Sequence, residues 1–386
     1  MPLFDTLLER LGSVWKQPTE HVSKRGFHCV CGKPVFFRNS NCLACATPLG
    51  YEPLEGSVRA LQPCETEGSW QLVGDEDEKH YRRCANFHSA AGCNWLIADN
   101  ESATLCIACR LNRKIPDLDD PENQRDWRLI ENAKRRLVSQ LLALRLPVES
   151  KEENPEQGLA FDILRSNDDG ERVMTGHANG LITFNAEEAN DARREEIRAA
   201  MKEPYRTLIG HFRHEVGHYY WDLLIWNTHW LEPFRALFGD ERADYSKSLQ
   251  KNYEQGPPAD WPQRFISSYA STHPWEDWAE TWAHYLHIID SLDTAMAHGL
   301  DAADLEMEAD PFTSEDLYDA DAEGAERFLV LLNSWLEMIT VLNEMSRSRG
   351  QPDFYPFVMP RDVVRKLHFI HLVIASTSRT SIPGHS

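Results

Sequence analysis

His214-Glu215-Val216-Gly217-His218 lies within the apolar run Leu208 to Ile225 of a 386-residue chain. The pattern is H-E-x-x-H, and its apolar surroundings predict a helix. Two histidines four residues apart lie on one helical face, so both imidazoles can bind a single Zn²⁺ ion. Glu215 then lies where it can deprotonate a water at that metal, as in zinc peptidases. The alternative is a buried helical His pair that neighbouring groups satisfy.

A catalytic zinc needs a third protein ligand and one open position. The best candidate lies in the sequence WEDWAE, residues 275–280, on a helix predicted to run to about Leu292. Glu276 and Glu280 share a face of this helix among tryptophans, where a carboxylate is costly unless it is paired or bound to a metal. A partly solvated amphipathic helix is the alternative. The other candidate third ligands are Asp240, Glu241, Asp244 and His284.

All nine cysteines lie between Cys29 and Cys109, and this clustering without a secretory signal favours zinc over disulfides. Eight of them form two quartets of the zinc-ribbon type, in which four thiolates make a closed structural site. Modules this small need the metal to fold. Cys64 is left as a free thiol or a substitute for Cys84. The quartets are Cys29, Cys31, Cys42 and Cys45, and Cys84, Cys93, Cys106 and Cys109.

The segment around Glu276 resembles a known group of enzymes. H-E-x-x-H followed by a second helix with a glutamate ligand is the gluzincin pattern, and residues 268–282 (SYASTHPWEDWAETW) are similar to the corresponding segment of lethal-factor-type zinc peptidases. The resemblance implies that Glu276 is the third ligand. It also implies that Glu280 is an acid that contacts a metal ligand rather than the metal. It also implies that Tyr269 donates a hydrogen bond to the oxyanion of the tetrahedral intermediate.

The chain as a whole more closely resembles a bacterial family of zinc-binding metallopeptidases with an N-terminal zinc ribbon. The resemblance rests on Arg83-Cys-Ala-Asn86, on Cys93-Asn-Trp-Leu96, on residues 206–221 and on residues 275–287. It covers most of residues 27–375 and implies zinc-dependent hydrolysis.

Three regions follow from these patterns. We expect a tail with a short amphipathic helix over residues 1–26, a zinc-ribbon region with two four-cysteine sites over 27–115, and a zincin-like α+β metallopeptidase domain over 116–386. The fold is predicted to be mainly α-helical with small β parts, and its C-terminal tail to pack back on the core. Further helices are predicted over 127–146, 186–201 and 328–345, the last of them apolar on most of its surface and therefore buried.

Two smaller features concern the surroundings of the motif. A β-rich segment before it is predicted to be the edge strand that pairs with an extended peptide substrate. His211, three residues before His214, is expected to be a neighbour of the site or a surface residue rather than a ligand. The predicted edge strand is Leu181, Ile182, Thr183 and Phe184.

The charge is unevenly distributed. Residues 1–115 carry 13 basic and 13 acidic side chains, so the whole net charge of −21 lies after residue 115. Because such a charge repels a phosphate backbone, it disfavours duplex nucleic acid as a substrate of the C-terminal part. No stretch approaches the roughly 20 apolar residues of a membrane span, and residues 1–16 lack a secretory core. We therefore expect a cytoplasmic protein without a membrane partner.

The leading functional prediction is a zinc peptidase that acts on a protein or peptide, with one catalytic and two structural zinc ions. One alternative is a non-catalytic adaptor in which zinc stabilises a scaffold and the ribbons bind a protein or nucleic acid. Glu215 disfavours the adaptor, because a scaffold needs the histidines but not the base. The other alternative is zinc-dependent hydrolysis of a non-peptide amide.

Overall fold

The computed structural model describes residues 26–75, 79–166, 173–201, 207–300 and 311–380. The predicted N-terminal helix lies outside these residues. The cysteine-rich region is built from short antiparallel strands. A hairpin of β1 and β2 is followed by a five-stranded sheet in the order β3-β4-β5-β6-β7. The strands are β1 Phe27–His28, β2 Pro34–Val35, β3 Leu49–Glu52, β4 Ser57–Pro63, β5 Ser69–Leu72, β6 His80–Arg83 and β7 Leu96–Ala98.

An aromatic core holds the hairpin against the five-stranded sheet. The ring centroids of Tyr51 and Trp95 are 4.6 Å apart, and those of Phe37 and Tyr51 are 4.8 Å apart. The buried side chain of Asn94 donates hydrogen bonds to the backbone oxygens of Phe37 and Asn39. The two ribbon units therefore form one packed body with a shared apolar core.

The second part of the chain is mainly helical and carries a sheet of its own. Asp120 caps the first helix by accepting from the backbone N–H of Glu122, and Pro121 occupies the first turn, as helix starts prefer. The helices are α1 Pro121–Ala143, α2 Asp191–Met201, α3 Leu208–Leu224, α4 Leu231–Phe238, α5 Tyr245–Gln255, α6 Trp261–Arg264, α7 Pro274–Ala297, α8 Ala325–Ser348 and α9 Arg361–Thr380.

The sheet of this part joins strands from both sides of α1. Its order is β10-β11-β9-β8, with β8 and β11 parallel to β9 and with β10 antiparallel to β11. β8 precedes α1 and lies inside the predicted ribbon region, so the sheet crosses the predicted boundary at residue 115. The strands are β8 Asn112–Lys114, β9 Ala160–Leu164, β10 Gly176–Ala178 and β11 Leu181–Asn185.

The strand order corrects one prediction. Leu181, Ile182, Thr183 and Phe184 belong to β11, which pairs with β9 on one side and β10 on the other. They therefore do not form an edge. Among the described strands, β10 is the edge next to the motif helix. The turn between β10 and β11 pairs these two strands as an antiparallel hairpin, and strand order of this kind cannot be predicted from one apolar segment.

Helices α3 and α7 approach each other closely at Gly217. A Cβ atom at Gly217 would lie 3.0 Å from the Cα of Ala279, closer than side chains normally allow. Trp278 donates from its indole nitrogen to the Gly217 carbonyl at 2.8 Å. His273 caps α7, because its ring nitrogen accepts from the backbone N–H of Trp275.

The C-terminal helices cover the far side of α7. Lys366 on α9 contacts buried Asp277 at 2.6 Å, so the tail packs back on the core as predicted. α8 differs from its prediction, because it buries one face and leaves Val330 and Met345 exposed. By length and composition alone α8 could cross a membrane, although buried core helices pass the same test.

Candidate active site

Helices α3 and α7 bring His214, His218 and Glu276 together. The Nε2 atoms of the two histidines are 3.2 Å apart, and Glu276 Oε2 lies 3.1 Å from His214 Nε2 and 3.5 Å from His218 Nε2. Ligands about 2.1 Å from a tetrahedral zinc would be separated by about 3.4 Å. The three atoms are therefore spaced as zinc ligands, which favours Glu276 as the third ligand.

The two oxygens of Glu276 have different surroundings. Tyr245, the first residue of α5, donates its hydroxyl to Oε1 at 2.7 Å. Oε2 is buried and, apart from the two imidazoles, has no partner among the described residues. A buried carboxylate oxygen without a hydrogen bond is costly, and a cation at this point would remove that cost. Sequence reasoning missed Tyr245, because no local pattern links it to Glu276.

Glu280 holds His214 from the opposite side. Its Oε1 lies 2.7 Å from His214 Nδ1, and its Oε2 accepts from the hydroxyl of Ser267 at 2.7 Å. A proton on Nδ1 leaves the Nε2 lone pair of His214 free for a metal. Although burial opposes charge on this imidazole, the carboxylates of Glu276 and Glu280 raise the pKa of His214 well above its usual value.

Glu215 points one oxygen toward a histidine and leaves the other unbonded. Its Oε1 lies 3.2 Å from His211 Nε2, and its buried Oε2 has no partner among the described residues. Burial alone would raise the pKa of the Glu215 carboxyl, but the hydrogen bond from His211 lowers it. Glu215 is thus an ionised carboxylate beside the three candidate ligands. His211 is a half-buried neighbour of the site, and no local sequence pattern predicts its contact with Glu188.

A cleft of about 380 Å³ opens over these groups. Tyr269 lines it, with its ring centroid 6.1 Å from that of His214 and its hydroxyl beside that of Tyr245. Burial raises the pKa of Tyr269, so its hydroxyl keeps its proton. The structure therefore places Tyr269 at the cleft, where a hydroxyl donor could reach a bound group.

The other candidate ligands are bound to other partners. Asp240 pairs with Arg242, and Glu241 pairs with Arg235. Asp244 caps α5 through the backbone N–H of Lys247. His284 lines the cleft, but its Nδ1 lies 2.6 Å from the hydroxyl of Tyr355.

Both cysteine quartets are gathered as predicted, each with its sulfur atoms within 4.8 Å of one another. The separations are 3.6 Å for Cys29 and Cys45, and 3.7 Å for both Cys31–Cys42 and Cys93–Cys106. Four sulfurs about 2.3 Å from a tetrahedral zinc would be about 3.8 Å apart, so the geometry fits. Cys64 belongs to neither quartet and is half-buried.

The two quartets differ in their surroundings. Cys31 and Cys45 of the first are exposed, whereas all four cysteines of the second are buried. Two fully buried cations on α1, Lys134 and Arg135, lie beside the second, and both pair with Glu131. Burial opposes the charge of Arg135, but the nearby cysteines and Glu131 raise its pKa. With Glu131 between them, these cations offset part of the negative charge of the four thiolates.

The comparisons with known proteins agree with this arrangement. A family model described as "Putative zinc-binding metallo-peptidase" matches residues 123–373, which is more than half of the chain. A second model, described as "zinc-ribbon domain", matches residues 26–120. Zinc is therefore supported as the metal of the chain. No solved structure matches significantly.

The relatives found are mycobacterial. An uncharacterized protein of Mycobacterium tuberculosis (strain ATCC 25618 / H37Rv) is 41% identical over 364 residues, which cover 94% of this chain and 98% of the relative. Uncharacterized proteins of Mycobacterium tuberculosis (strain CDC 1551 / Oshkosh) and Mycobacterium bovis (strain ATCC BAA-935 / AF2122/97) match to the same extent. The shared length includes both the ribbon region and the helical part.

Proposed function

The chain belongs to this family of zinc-binding metallopeptidases, and from that premise we propose that it is a gluzincin-type peptidase with Glu215 as its general base. The observation that carries the proposal is the spacing of His214, His218 and Glu276 beside a buried carboxylate with one free oxygen. These three residues would hold the catalytic ion. When bound, zinc would polarise the scissile carbonyl and make a nearby water easier to deprotonate.

Glu215 supplies the proton transfers. Its free Oε2 takes a proton from the attacking water as the new C–O bond forms. The same carboxyl then gives that proton to the nitrogen of the leaving amine as the C–N bond breaks. Because the side chain is buried, bulk water does not compete for this oxygen.

The hydroxyl of Tyr269 would donate a hydrogen bond to the carbonyl oxygen of the substrate as that oxygen becomes negatively charged. Its hydroxyl is beside that of Tyr245, which itself donates to Glu276 Oε1. Because the one hydroxyl proton of Tyr245 goes to Glu276, the hydroxyl of Tyr269 donates to the Tyr245 oxygen and would turn to the substrate oxyanion once a peptide is bound. A single donor of this kind is worth about 10² to 10³ in turnover.

We assign the substrate to the edge of β10 rather than β11. Val173, Met174 and Thr175 precede β10 and line the cleft, so an extended peptide could pair with this edge. Leu249 and Tyr253 of α5 form an apolar wall of the same cleft. These contacts favour an apolar side chain near the scissile bond and require no membrane.

The test is a digest of a diverse peptide mixture by the zinc-loaded protein and by Glu215→Gln. Wild type should cleave a subset of the peptides, and the variant should retain its zinc but lose nearly all turnover. Equal cleavage by both proteins would refute the proposal.

A binding role for the first ribbon has an observation of its own. Val30, Phe36 and Leu43 are exposed on or beside its cysteine knuckles, and residues 26–51 contain no acidic side chain. This apolar and weakly basic surface suits a protein or nucleic-acid partner, and it is compatible with catalysis in the rest of the chain. Deletion of the exposed side chains should leave peptide cleavage unchanged and weaken partner binding.

A further inference from the structure

Glu215 is the end of a series of partly buried hydrogen bonds. Its Oε1 lies 3.2 Å from His211 Nε2, and Nδ1 of the same imidazole lies 2.7 Å from Glu188 Oε2. The second oxygen of Glu188 accepts from the hydroxyl of Thr175 at 2.6 Å. Glu188, His211 and Thr175 all line the cleft.

Three separate parts of the fold build this series. His211 and Glu215 are one turn apart on α3, so the helix itself sets their contact. Glu188 lies in the short turn that follows β11, and Thr175 directly precedes β10. The sheet therefore places the acid Glu188 next to the motif helix. This contact joins segments that are distant in the sequence.

The imidazole of His211 connects two acids. Glu188 and Glu215 are both almost completely buried, and His211 is the group that lies between them. Each of its ring nitrogens lies within hydrogen-bond distance of one carboxylate oxygen. The ring therefore holds both carboxylates in a fixed relation to each other.

We propose that Glu188 and His211 are positioning residues that fix the carboxylate of Glu215 with its Oε2 turned to the substrate. The proposal rests on the assignment of Glu215 as the base. Because His211 contacts Oε1, only Oε2 of the Glu215 carboxylate remains to face the substrate. No bond to His211 forms or breaks, so its effect is on orientation, which should act on turnover rather than on substrate binding.

The experiment measures kcat and KM of zinc-loaded variants with the peptide that wild type cleaves fastest. His211→Ala should lower kcat by about 10- to 100-fold, with KM within about twofold of wild type. His211→Gln should recover part of the loss, because its amide can still donate to Glu215 Oε1. Glu188→Gln, which keeps the shape of the side chain, should lower kcat by roughly fivefold. Thr175→Val should have a smaller effect.

Metal content and the absorption spectrum of the Co²⁺-substituted protein are read alongside. Both should match wild type in every variant, which separates positioning of the base from damage to the ligand set. His371→Ala is the matched control, since His371 hydrogen-bonds Tyr285 outside the cleft and should leave kcat unchanged. If His211→Ala does not fold, Glu188→Gln carries the test.

Two results would overturn different claims. Wild-type kcat in folded, zinc-loaded His211→Ala or Glu188→Gln would refute the positioning role and leave Glu215 as the base. Wild-type kcat in Glu215→Gln would refute the proposed function itself. A purely structural role of His211 predicts a lower melting temperature with unchanged kcat per folded molecule, which would also overturn the proposal.

Discussion

Glu276 and Glu280 lie one turn apart on α7 but have different roles around the same imidazole. Glu276 faces His214 Nε2 together with His218, whereas Glu280 faces His214 Nδ1. Only the first can share a cation with both histidines. The second fixes the ring and its tautomer, and it is itself fixed by Ser267.

Substitution of these two acids should distinguish the residue that binds zinc from the residue that positions His214. Glu276→Ala should lose the catalytic zinc and retain the ribbon zinc, because it removes one of three ligands. Glu280→Ala should weaken zinc affinity by about 10- to 100-fold without abolishing it. Competition with a chromogenic chelator measures both constants. Retention of all zinc by Glu276→Ala, with loss in Glu241→Ala or Asp244→Ala, would contradict the assignment.

The buried imidazole of His284 should make stability fall in acid. Burial lowers the pKa of His284 to about 4, whereas an unfolded histidine titrates near 6.5. Between these values the unfolded chain binds a proton that the folded chain does not. This contribution is therefore present above about pH 6.5 and is lost as the pH falls toward 4, by up to roughly 3 kcal/mol.

Urea unfolding of wild type and His284→Gln from pH 7.5 to 4.5 tests this effect. The variant should show a shallower decrease in the free energy of unfolding over that range. Replacement of exposed His229 should leave the slope as in wild type. Parallel curves for wild type and His284→Gln would contradict the prediction.

At the level of elements, the site depends on how closely α3 and α7 approach. Gly217 permits that approach, and its carbonyl accepts from Trp278 across the interface. The three candidate ligands come from both helices, so their spacing follows directly from the distance between the helix axes.

Gly217→Val should therefore damage both stability and metal binding. The added side chain would meet Ala279 and Trp282, and overpacking of this kind costs about 1–3 kcal/mol. Thermal unfolding and zinc affinity should fall together. Gly176→Ala is the control for stability, because no atom lies within 4 Å of the added Cβ. Unchanged zinc affinity in a folded Gly217→Val protein would show that helix separation does not set the site.

Sequence patterns predicted those features that depend on local spacing. The helices around residues 208–224 and 274–297 and the two cysteine quartets follow from periodicity and from paired knuckles. The edge strand was misplaced, because strand order depends on pairing between distant segments. Tyr245 and Glu188 reach the site from a separate helix and a separate turn, so nothing in their own neighbourhoods identifies them.

At the scale of the whole molecule, the second ribbon is connected through α1 to the two helices of the candidate site. Arg135 donates to the carbonyl of Ala91 beside the quartet, and Arg136 on the same helix pairs with Asp290 of α7. Arg213 of α3 binds Gln140 of α1. The ribbon region thus helps to hold the helices of the site in place, although separate family models match the two regions of the chain.

Elemental analysis of protein purified without chelators should give close to three zinc ions per chain. Mild chelation should remove the catalytic ion first, because three protein ligands leave it open, whereas four thiolates close each ribbon site. The buried second quartet should release its metal last. A total near one ion, with the cysteines in disulfides, would contradict both quartets.

The different burial of the quartets gives the molecule two levels of resistance to oxidants. Cys45 is exposed, and a hydrogen bond from Thr47 lowers its pKa to about 6, which favours the reactive thiolate when metal is absent. Low doses of hydrogen peroxide should therefore modify Cys45 before any of the buried cysteines of the second quartet. Because His214, His218 and Glu276 all lie outside the first ribbon, such damage would abolish partner binding while hydrolysis continues.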